Sequence, residues 1–527
     1  MRPDDRRWCL IFGAIMIVLT SIPYLLGFQT QGTEWRFTGF VFGVGDGNSY
    51  IAKMFQGSDG AWLFQTPYAS HVGSSLLAFL PYLLLGKLAA GPDLHVQLVA
   101  LYHLARVLFI PLAVLAIFQF ASMFLEERAW RRWATIVVVA GGGLGWLLVL
   151  IGPSSVLGSL PLDLYSPEAF GFLSFYGLPH LLLARILLLL GLAAYLRAAG
   201  WRNGILSGAI FFVLGLVQPL TIISAYAAIG AHIVVLGLGR AFGRAEWRLG
   251  PWLRSAVPAV GISLPIIAYY VLGSWIDPSL RSWAGQNVLP SPHPTHYLLA
   301  YAVVLIPAGL GTRRSIQTQG AMGWFLPSWV AVLLLLAYAP VAFQRRLVDG
   351  AWVALAILAA QGLRSLEFGE SRRRIVAGAL MGALMLTTAV LIAGGVWTAL
   401  RPQKPAFRPA TEVEAILWLA ENVEKKSVVL ASFETGNVVP AWAPLRSVMG
   451  HGPETPDLGR LRPQIEAFFG ESMTVTERQG LLDRQRVDFV FLGPEERALG
   501  SWDPVTLTDL LPIYSEGGYD IFAVQRP

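Results

Sequence analysis

The chain has 527 residues, of which 55% are hydrophobic and 14% are charged, whereas soluble domains carry about 25% charged residues. This composition excludes a soluble globular protein and indicates a polytopic membrane protein. The net charge of +6 does not indicate a nucleic-acid partner, because the arginines fall in short segments between apolar runs, where membrane topology accounts for them. The single cysteine, Cys9, excludes a disulfide framework and a cysteine-based metal site.

Apolar segments of near ~20 residues, the length that a bilayer requires, predict about eleven transmembrane helices. Arg2, Arg6 and Arg7 precede the first segment, which indicates a retained membrane helix rather than a cleaved signal peptide. The long run 204–239 is divided at Pro219, because proline favours a kink there. The segments are 8–28, 96–125, 133–151, 176–196, 204–219, 221–239, 255–273, 296–311, 322–342, 347–363 and 375–399. We interpret the glycines at 141–143 as close packing within one such helix.

A further apolar run, 74–90, is ambiguous by length, and the distribution of arginine decides its placement. If this run does not cross the membrane, the later arginine-rich segments face the inside, as the positive-inside rule requires. Those segments are 128–132, 197–202, 240–254, 313–314 and 364–374. We therefore predict that 29–95 is one large first outer loop and that 74–90 forms a re-entrant or interfacial helix within it.

The sequence Gly-Asp-Gly-Asn-Ser-Tyr at 45–50 opens the predicted outer loop. A carboxylate just past the end of a membrane helix is costly unless it is solvated or used, so Asp46 is the candidate catalytic residue. The same position is equally compatible with capping of a helix that begins near Asn48. Asn48 and Tyr50 are candidates for substrate binding.

Other polar residues fall in the later predicted outer loops. Asp163 and Glu168 lie in the second outer loop and are candidates for a second acidic or metal-contacting group. Together with Asp46, their hard oxygen ligands are compatible with a shared divalent cation such as magnesium or manganese, although the sequence carries no metal signature. His180 lies at the mouth of the next helix and Gln286 lies in the loop 274–295; both are candidates for substrate binding.

Basic residues at two places do not follow the topology. Arg345 and Arg346 lie at the outer end of a predicted helix, where a membrane-borne phosphate accounts for a basic pair better than topology does. Ordinary snorkelling to headgroups is the alternative. Arg185 lies inside an apolar run, which indicates either a functional residue, such as a donor-phosphate ligand, or pairing with a carboxylate or carbonyls within the bundle.

The C-terminal quarter has a different composition. A proline-rich linker at 401–405 separates a predicted membrane domain, 1–402, from a predicted outer soluble domain, 403–527. Helical spacing over 412–424 and short apolar runs at 427–431, 487–492 and 519–524 predict a small α/β domain. The polar sequence Gly-His-Gly-Pro-Glu-Thr at 450–455 predicts a turn between elements, with acceptor binding as the functional alternative.

This layout resembles the GT-C-type membrane glycosyltransferases, which use polyprenyl-phosphate-linked sugars, in particular bacterial mannosyl- and arabinosyltransferases. The resemblance covers most of 1–400. It is carried by an acidic residue opening a large outer loop, a Leu-rich half-helix ending at Gly86, a second acidic outer loop before His180, and the Pro-Val-Ala-Phe-Gln-Arg-Arg sequence at 340–346. In that class the first loop usually carries an acidic pair, which is reduced here to Asp46.

The resemblance implies an α-helical polytopic GT-C-like protein with a C-terminal α/β domain, located in the plasma membrane with the C-terminal domain outside the cytoplasm. It implies transfer of a sugar from a polyprenyl-phosphate donor to a hydroxyl of a lipid, glycan or protein acceptor, with inversion. Asp46 would be the general base, and Arg345, Arg346 and Arg185 would contact the donor phosphate. No cofactor is certain; the divalent cation is left open.

Three other functions remain as alternatives. A transporter or flippase for a lipid-linked saccharide accounts for the helices and the buried arginines, but it predicts inverted repeats, which the sequence does not show. A non-catalytic scaffold predicts no clustering of carboxylates on the outer face. Transfer of a whole oligosaccharide by the same fold is not separated from single-sugar transfer by the sequence.

Overall fold

The computed structural model describes residues 1–71, 73–152, 155–197, 200–243 and 247–526. The helices of the first part of the chain are α1 (Pro3–Thr30), α2 (Val44–Ser58), α3 (Leu80–Gly86), α4 (Leu94–Ala121), α5 (Arg128–Ala140), α6 (Gly145–Ile151), α7 (Leu162–Tyr165), α8 (Phe172–Gly177), α9 (Pro179–Leu196), α10 (Trp201–Val217) and α11 (Pro219–Ala241). They are followed by α12 (Leu249–Ile276), α13 (Pro278–Gln286), α14 (Thr295–Gly323), α15 (Phe325–Leu336), a 3-10 helix (Gln344–Val348), α16 (Ala351–Ser365) and α17 (Glu370–Ala399).

Each of the eleven predicted apolar segments contains helix in the described chain, but they are not eleven equal spans. Within the described residues, eight helices are long and apolar enough to cross a membrane. The segment 133–151 is a pair, α5 and α6, bent by 48° at a break, and α10 and α15 are shorter apolar helices. The prediction of a multi-pass membrane protein is confirmed. The predicted segments comprise full-length helices, one bent pair of helices and two shorter helices.

The chain forms two compact units, which are described separately. Unit 1 comprises 1–21, 105–270 and 288–394, and unit 2 comprises 22–104, 271–287 and 395–527. The grouping follows contacts rather than chain order, so the predicted boundary at residue 402 stays a prediction.

Unit 1 is a bundle around α16, whose residues are almost all buried. Glycine allows α14 and α16 to approach closely, since a Cβ at Gly311 would lie 1.8 Å from the Leu358 carbonyl oxygen. We predicted that the glycines at 141–143 lie within a helix. They lie instead at the break between α5 and α6. Repeated glycine disfavours continuous helix, which explains the break.

Unit 2 contains the first loop and the soluble elements. Two short strands, β1 (Trp35–Phe37) and β2 (Phe407–Pro409), pair antiparallel and join the first loop to the chain after α17. Helix α3, the ordered helical part of 74–90, has only seven residues, too few to cross a bilayer. It packs closely on α2, because a Cβ at Gly86 would lie 1.9 Å from the Met54 carbonyl oxygen.

The C-terminal elements form the predicted α/β arrangement. They are α18 (Ala410–Asn422), β3 (Val428–Leu430), α19 (Phe433–Trp442), β4 (Arg446–Ser447), α20 (Leu458–Phe469), α21 (Val475–Arg484), β5 (Phe489–Leu492), α22 (Pro494–Arg497), a 3-10 helix (Pro504–Thr506), β6 (Leu510–Glu516) and β7 (Tyr519–Val524). The five-stranded sheet has the order β4-β3-β5-β7-β6. Strands β4, β3 and β5 are parallel, and β7 and β6 are antiparallel additions.

Candidate active site

Asp46 lies in the first turn of α2, in unit 2, rather than at the cap of a helix beginning near Asn48. Gly43 precedes the helix with a φ of 54°, a conformation that glycine adopts without a steric penalty, and the chain turns there into α2. A carboxylate in the first turn of a helix interacts favourably with the helix dipole. The Asp46 side chain is 60% exposed, so it is available to a reactant.

Asp46 is one end of a chain of charged side chains that we call the α2 ion chain: Asp46, His451, Glu454 and Lys53. His451 Nε2 lies 2.9 Å from Asp46 Oδ1, and His451 Nδ1 lies 3.3 Å from Glu454 Oε1. Lys53 Nζ donates to the same Glu454 oxygen at 2.6 Å. Ser49 Oγ also donates to it, at 2.8 Å. Asp46, Ser49 and Lys53 are three and four residues apart, so they lie on one face of α2.

Burial increases along the α2 ion chain from Asp46 inward. The side chains of His451, Glu454 and Lys53 are 12%, 3% and 0% exposed. Burial disfavours all three charges, and neighbouring charges oppose burial. The buried side chains of Lys53, Glu454 and His451 therefore hold the exposed Asp46 carboxylate in position.

The pKa values of the α2 ion chain follow from this balance. Burial disfavours the His451 cation, but the Glu454 charge and the hydrogen bond with Asp46 outweigh burial and raise the pKa of His451 to about 9. Burial disfavours the Glu454 carboxylate as well, but the charges of Lys53 and His451 lower the pKa of Glu454 to about 2. Burial lowers the pKa of Lys53, and Glu454 limits this decrease. At neutral pH His451 is therefore a cation between two carboxylates.

The loop that carries His451 and Glu454 is fixed by hydrogen bonds to its backbone. Gln286 Nε2 donates to the Thr455 carbonyl oxygen at 2.7 Å, and Gln286 Oε1 accepts from Leu458 N at 3.2 Å. Thr66 Oγ1 donates to the Glu454 carbonyl oxygen at 2.9 Å. The structure thus uses Gln286, a predicted substrate-binding residue, to position this loop.

The other two candidates on α2 also have contacts within unit 2. Asn48 is buried, and its Nδ2 donates to Asn437 Oδ1 at 2.9 Å. Asn437 Nδ2 in turn donates to the Gly45 carbonyl oxygen at 3.1 Å. The half-buried Tyr50 ring stacks on Tyr82 with the ring centroids 4.5 Å apart. Asn48 therefore positions the start of α2. Tyr50 follows Asp46 by four positions on α2, and its ring is part of an aromatic face.

In unit 1, Asp163 is buried and stabilises the break between α5 and α6. Its Oδ2 accepts hydrogen bonds from Gly143 N and Gly145 N, each at 3.0 Å, and from Thr387 Oγ1 at 2.7 Å. Burial raises the pKa of Asp163, and these donors oppose the increase. The geometry gives Asp163 a structural task, because three donors already occupy this oxygen.

Arg185, also in unit 1, is paired with a carboxylate inside the bundle. Its Nη2 donates to Asp349 Oδ1 at 3.0 Å and to the Pro167 carbonyl oxygen at 3.1 Å. Asp349 Oδ2 accepts from Thr221 Oγ1 at 3.0 Å. Asp349 follows the 3-10 helix that carries Arg345 and Arg346, so this ion pair fixes the end of that helix.

The two arginines of the 3-10 helix have different neighbours. Arg346 Nε lies 3.5 Å from Glu168 Oε1, and the Arg346 side chain remains 30% exposed. The Arg345 guanidinium lies over the Tyr165 ring, 4.9 Å from its centroid. Glu168 is therefore placed beside Arg346, in unit 1. His180, in the first turn of α9, is half-buried.

The predicted metal-contacting carboxylates Asp163 and Glu168 already have other partners. Among the described residues, no group of three His, Cys, Asp or Glu side chains is placed to hold a metal ion. Asp163 Oδ2 accepts from three donors and Glu168 lies beside Arg346, whereas Asp163 Oδ1 is buried and makes no hydrogen bond within the described chain. The divalent cation that the sequence left open therefore stays a prediction, and we derive no step through one.

The partners of Asp46 were not predicted from the sequence. The segment 450–455 predicts a polar turn, with acceptor binding as the alternative, and Lys53 has no assigned role there. One signal was available: His451 and Glu454, two ionisable residues three apart, occur in a glycine-rich turn. Nothing in that turn indicates that its side chains contact a residue 405 positions earlier.

No protein-family model matches the sequence, and no curated protein matches it. Solved structures match almost the whole chain. The archaeal oligosaccharyltransferase AglB from Archaeoglobus fulgidus, in complex with an inhibitory peptide and a dolichol-phosphate, superposes with a TM-score of 0.56 at 12% identity, over 98% of this chain and 74% of AglB.

Two structures of ArnT from Cupriavidus metallidurans match over 99% of both chains. The apo structure has a TM-score of 0.51 at 12% identity, and the structure bound to undecaprenyl phosphate has a TM-score of 0.50 at 13% identity. At such identities the matches establish the fold, while activity is argued from the site. The predicted GT-C-like membrane fold with a C-terminal α/β domain is confirmed.

Proposed function

We propose that this protein is a membrane glycosyltransferase that moves a sugar from a polyprenyl-phosphate donor to an acceptor hydroxyl, with Asp46 as the general base. The observation that carries the proposal is the exposed Asp46 carboxylate, held in the first turn of α2 by His451. The fold supports it, because AglB and ArnT were solved with dolichol-phosphate and undecaprenyl phosphate, respectively.

The reaction is a single displacement. The acceptor oxygen attacks the anomeric carbon of the donor sugar while the Asp46 carboxylate takes the hydroxyl proton. The bond from the anomeric carbon to the phosphate oxygen breaks, and its electron pair leaves with the polyprenyl phosphate. Attack opposite the leaving group inverts the anomeric centre. A positioned general base contributes roughly 10²–10⁴-fold to such a rate.

Arg345 and Arg346 are the proposed ligands of the donor phosphate. Arginine donates in a planar fork that matches phosphate oxygens, and a fixed positive charge stabilises the phosphate as it departs. Arg346 is partly exposed, and its contact with Glu168 is long enough to be exchanged for a phosphate. Arg185 is balanced by Asp349, which supports a role in fixing the 3-10 helix rather than in binding phosphate directly.

The location follows the positive-inside argument. We assign the plasma membrane and an outer-face reaction, with the C-terminal domain outside the cytoplasm, because the arginine-rich segments then face the cytoplasm. Labelling single cysteines at Ser155, Gln344 and Thr411 in a Cys9→Ser background with an impermeant maleimide tests this. Labelling at all three positions in intact cells is expected; labelling of Gln344→Cys only after permeabilisation would contradict the outer placement of the basic pair.

Transfer of a whole oligosaccharide is the second candidate, because AglB, an oligosaccharyltransferase, matches 98% of this chain. The two candidates differ in the donor. Purified protein in liposomes is supplied with labelled undecaprenyl-phosphate monosaccharides or with lipid-linked oligosaccharides, together with membrane extract as the source of acceptor. Single-sugar transfer predicts a labelled product with the first donors, and oligosaccharide transfer predicts it only with the second.

The matched variants in this assay are Asp46→Asn and Asp59→Asn. Asp59 directly follows the last residue of α2, where it pairs with Lys425, and it controls for loss of a carboxylate on the same helix. We expect Asp46→Asn to slow product formation roughly 10²–10⁴-fold and Asp59→Asn to retain the wild-type rate. Equal product with both variants would remove the base assignment, and flipping of labelled lipid without product would support the transporter.

A further inference from the structure

We propose that His451 is a positioning residue for Asp46, a fixed imidazolium that the C-terminal domain contributes to the α2 ion chain. This inference rests on the proposed function, since it assigns the residue that aims the proposed base. The carrying observation is that each ring nitrogen of His451 faces a carboxylate oxygen, Asp46 at 2.9 Å and Glu454 at 3.3 Å.

The arrangement excludes His451 itself as the base. A neutral imidazole accepts a proton through an unprotonated ring nitrogen. Here Nε2 lies 2.9 Å from an Asp46 oxygen, and Nδ1, which makes no hydrogen bond within the described chain, lies 3.3 Å from a Glu454 oxygen, so the two carboxylate charges favour the ring with both nitrogens protonated. His451 is therefore a cation with no lone pair for a substrate proton, and the exposed member of the pair, Asp46, is the group that can take one.

The buried end of the α2 ion chain keeps His451 in place. Glu454 is held by Lys53 at 2.6 Å and by Ser49 at 2.8 Å, and its backbone is held by Thr66. Two carboxylates and two cations balance over the whole α2 ion chain, and one of the four, Asp46, is exposed. Removing one member leaves an uncompensated charge, which is strongly destabilising.

The geometry also explains why the first loop and the C-terminal elements belong to one unit. Asp46, Ser49 and Lys53 come from α2, whereas His451 and Glu454 come from the loop before α20. The Tyr68 ring lies 5.6 Å from the His451 ring and closes another side. A correctly aimed Asp46 therefore requires the C-terminal domain to be folded.

The kinetic test uses His451→Gln, His451→Lys and the control His71→Gln, an exposed histidine of the first loop. A base displaced by about 1 Å loses on the order of 10²-fold in rate. We expect His451→Gln to reduce kcat about 10–100-fold with KM for the undecaprenyl-phosphate sugar changed less than about 3-fold, and His451→Lys to recover part of kcat by restoring the charge. The control should match wild type.

The outcomes separate this inference from the proposed function. If Asp46→Asn slows transfer as expected but His451→Gln keeps the wild-type kcat, the positioning role is wrong and the base assignment stands. If Asp46→Asn transfers normally, both fall.

A second measurement needs no substrate, and it tests whether His451 is held as a cation. The thermal unfolding midpoint of the full-length protein is followed from pH 6 to pH 10. The charged groups that face His451 are Asp46, Glu454 and, beyond Glu454, Lys53. Because the folded-state pKa of His451 is raised to about 9, wild type should lose stability as pH rises above about 6.5 and through 9, relative to His451→Gln. Parallel pH profiles for the two proteins would overturn the cationic bridge.

Discussion

Two of the buried ion pairs in this protein have similar separations, and of these two only one is linked by further contacts to an exposed side chain in the described chain. In unit 1, Arg185 Nη2 lies 3.0 Å from Asp349 Oδ1 and also donates to the Pro167 carbonyl oxygen, Asp349 Oδ2 accepts from the Thr221 hydroxyl, and Arg185 Nε makes no hydrogen bond within the described chain. In unit 2, Lys53 and Glu454 lie 2.6 Å apart, and the contact continues through His451 to the exposed Asp46. The contacts of the first pair end at the Pro167 carbonyl oxygen and the Thr221 hydroxyl, whereas the contacts of the second pair reach the exposed Asp46 carboxylate.

The two pairs show that burial of a charge does not by itself indicate function. A buried ion pair is weak evidence for function, because replacing both members can even stabilise a protein. What distinguishes Lys53–Glu454 is the exposed carboxylate at its end, 60% accessible in the first turn of a helix. The same comparison explains why Arg185 is better assigned to fixing the 3-10 helix of Arg345 and Arg346 than to contacting a ligand.

The largest expected effect comes from breaking the buried pair of unit 2. Lys53→Met or Glu454→Gln should destabilise the protein by about 3–5 kcal/mol, because each leaves the other charge buried without its partner. The double variant should cost less than the sum of the two single variants. Thermal unfolding in detergent measures this, and strict additivity would show that the two residues do not interact.

The pH dependence of stability is the next largest effect. A His451 pKa raised from 6.5 to about 9 contributes stability that is fully present below about pH 6.5 and is lost as pH rises through 9. The difference is on the order of 3–4 kcal/mol, since one pKa unit corresponds to about 1.4 kcal/mol. Glu454→Gln should flatten this dependence, because it removes the largest favourable charge next to His451; an unchanged profile in that variant would contradict the α2 ion chain.

Asp163→Asn should lower stability by about 1–3 kcal/mol, because an amide replaces a carboxylate that accepts three hydrogen bonds at the break between α5 and α6. Addition of EDTA to wild type should leave transfer unchanged, since the proposed step uses no metal and both Asp163 Oδ2 and Glu168 already have donors. A loss of transfer on chelation that magnesium or manganese restores would contradict this description of the two carboxylates.

The smallest expected effect concerns the closed pair of unit 1. Thr221→Val removes one hydrogen bond to Asp349 and should cost about 1 kcal/mol while transfer is retained. Thr221→Ser keeps the hydroxyl and is the matched control. A loss of transfer much larger than the loss of stability would indicate that this pair takes part in the reaction.

The membrane helices and the C-terminal strands could be predicted because their signal is local. Apolar runs of sufficient length form helices in a bilayer, and each of the eleven predicted segments contains helix in the described chain. Strand β7 begins and ends where the apolar run 519–524 does. The break at 141–143 was missed, although three glycines in succession lower helix propensity enough to suggest it.

The candidate site could be predicted only at its exposed end. Asp46 stood out because a carboxylate after a membrane helix requires an explanation, and that argument uses neighbouring residues alone. Its contact with His451 spans 405 positions, and such a pairing has no local signature. Gln286 was predicted to bind substrate because it is a polar residue in an outer loop. In the structure it forms hydrogen bonds with backbone atoms of residues 455 and 458.

The most direct test of the account is a double-mutant cycle in the transfer assay. The transfer rates of wild type, Asp46→Asn, His451→Gln and Asp46→Asn/His451→Gln are measured on the same undecaprenyl-phosphate sugar. If His451 acts through Asp46, the double variant is as slow as Asp46→Asn alone, because there is no base left to position. Independent losses that multiply in the double variant would contradict the account.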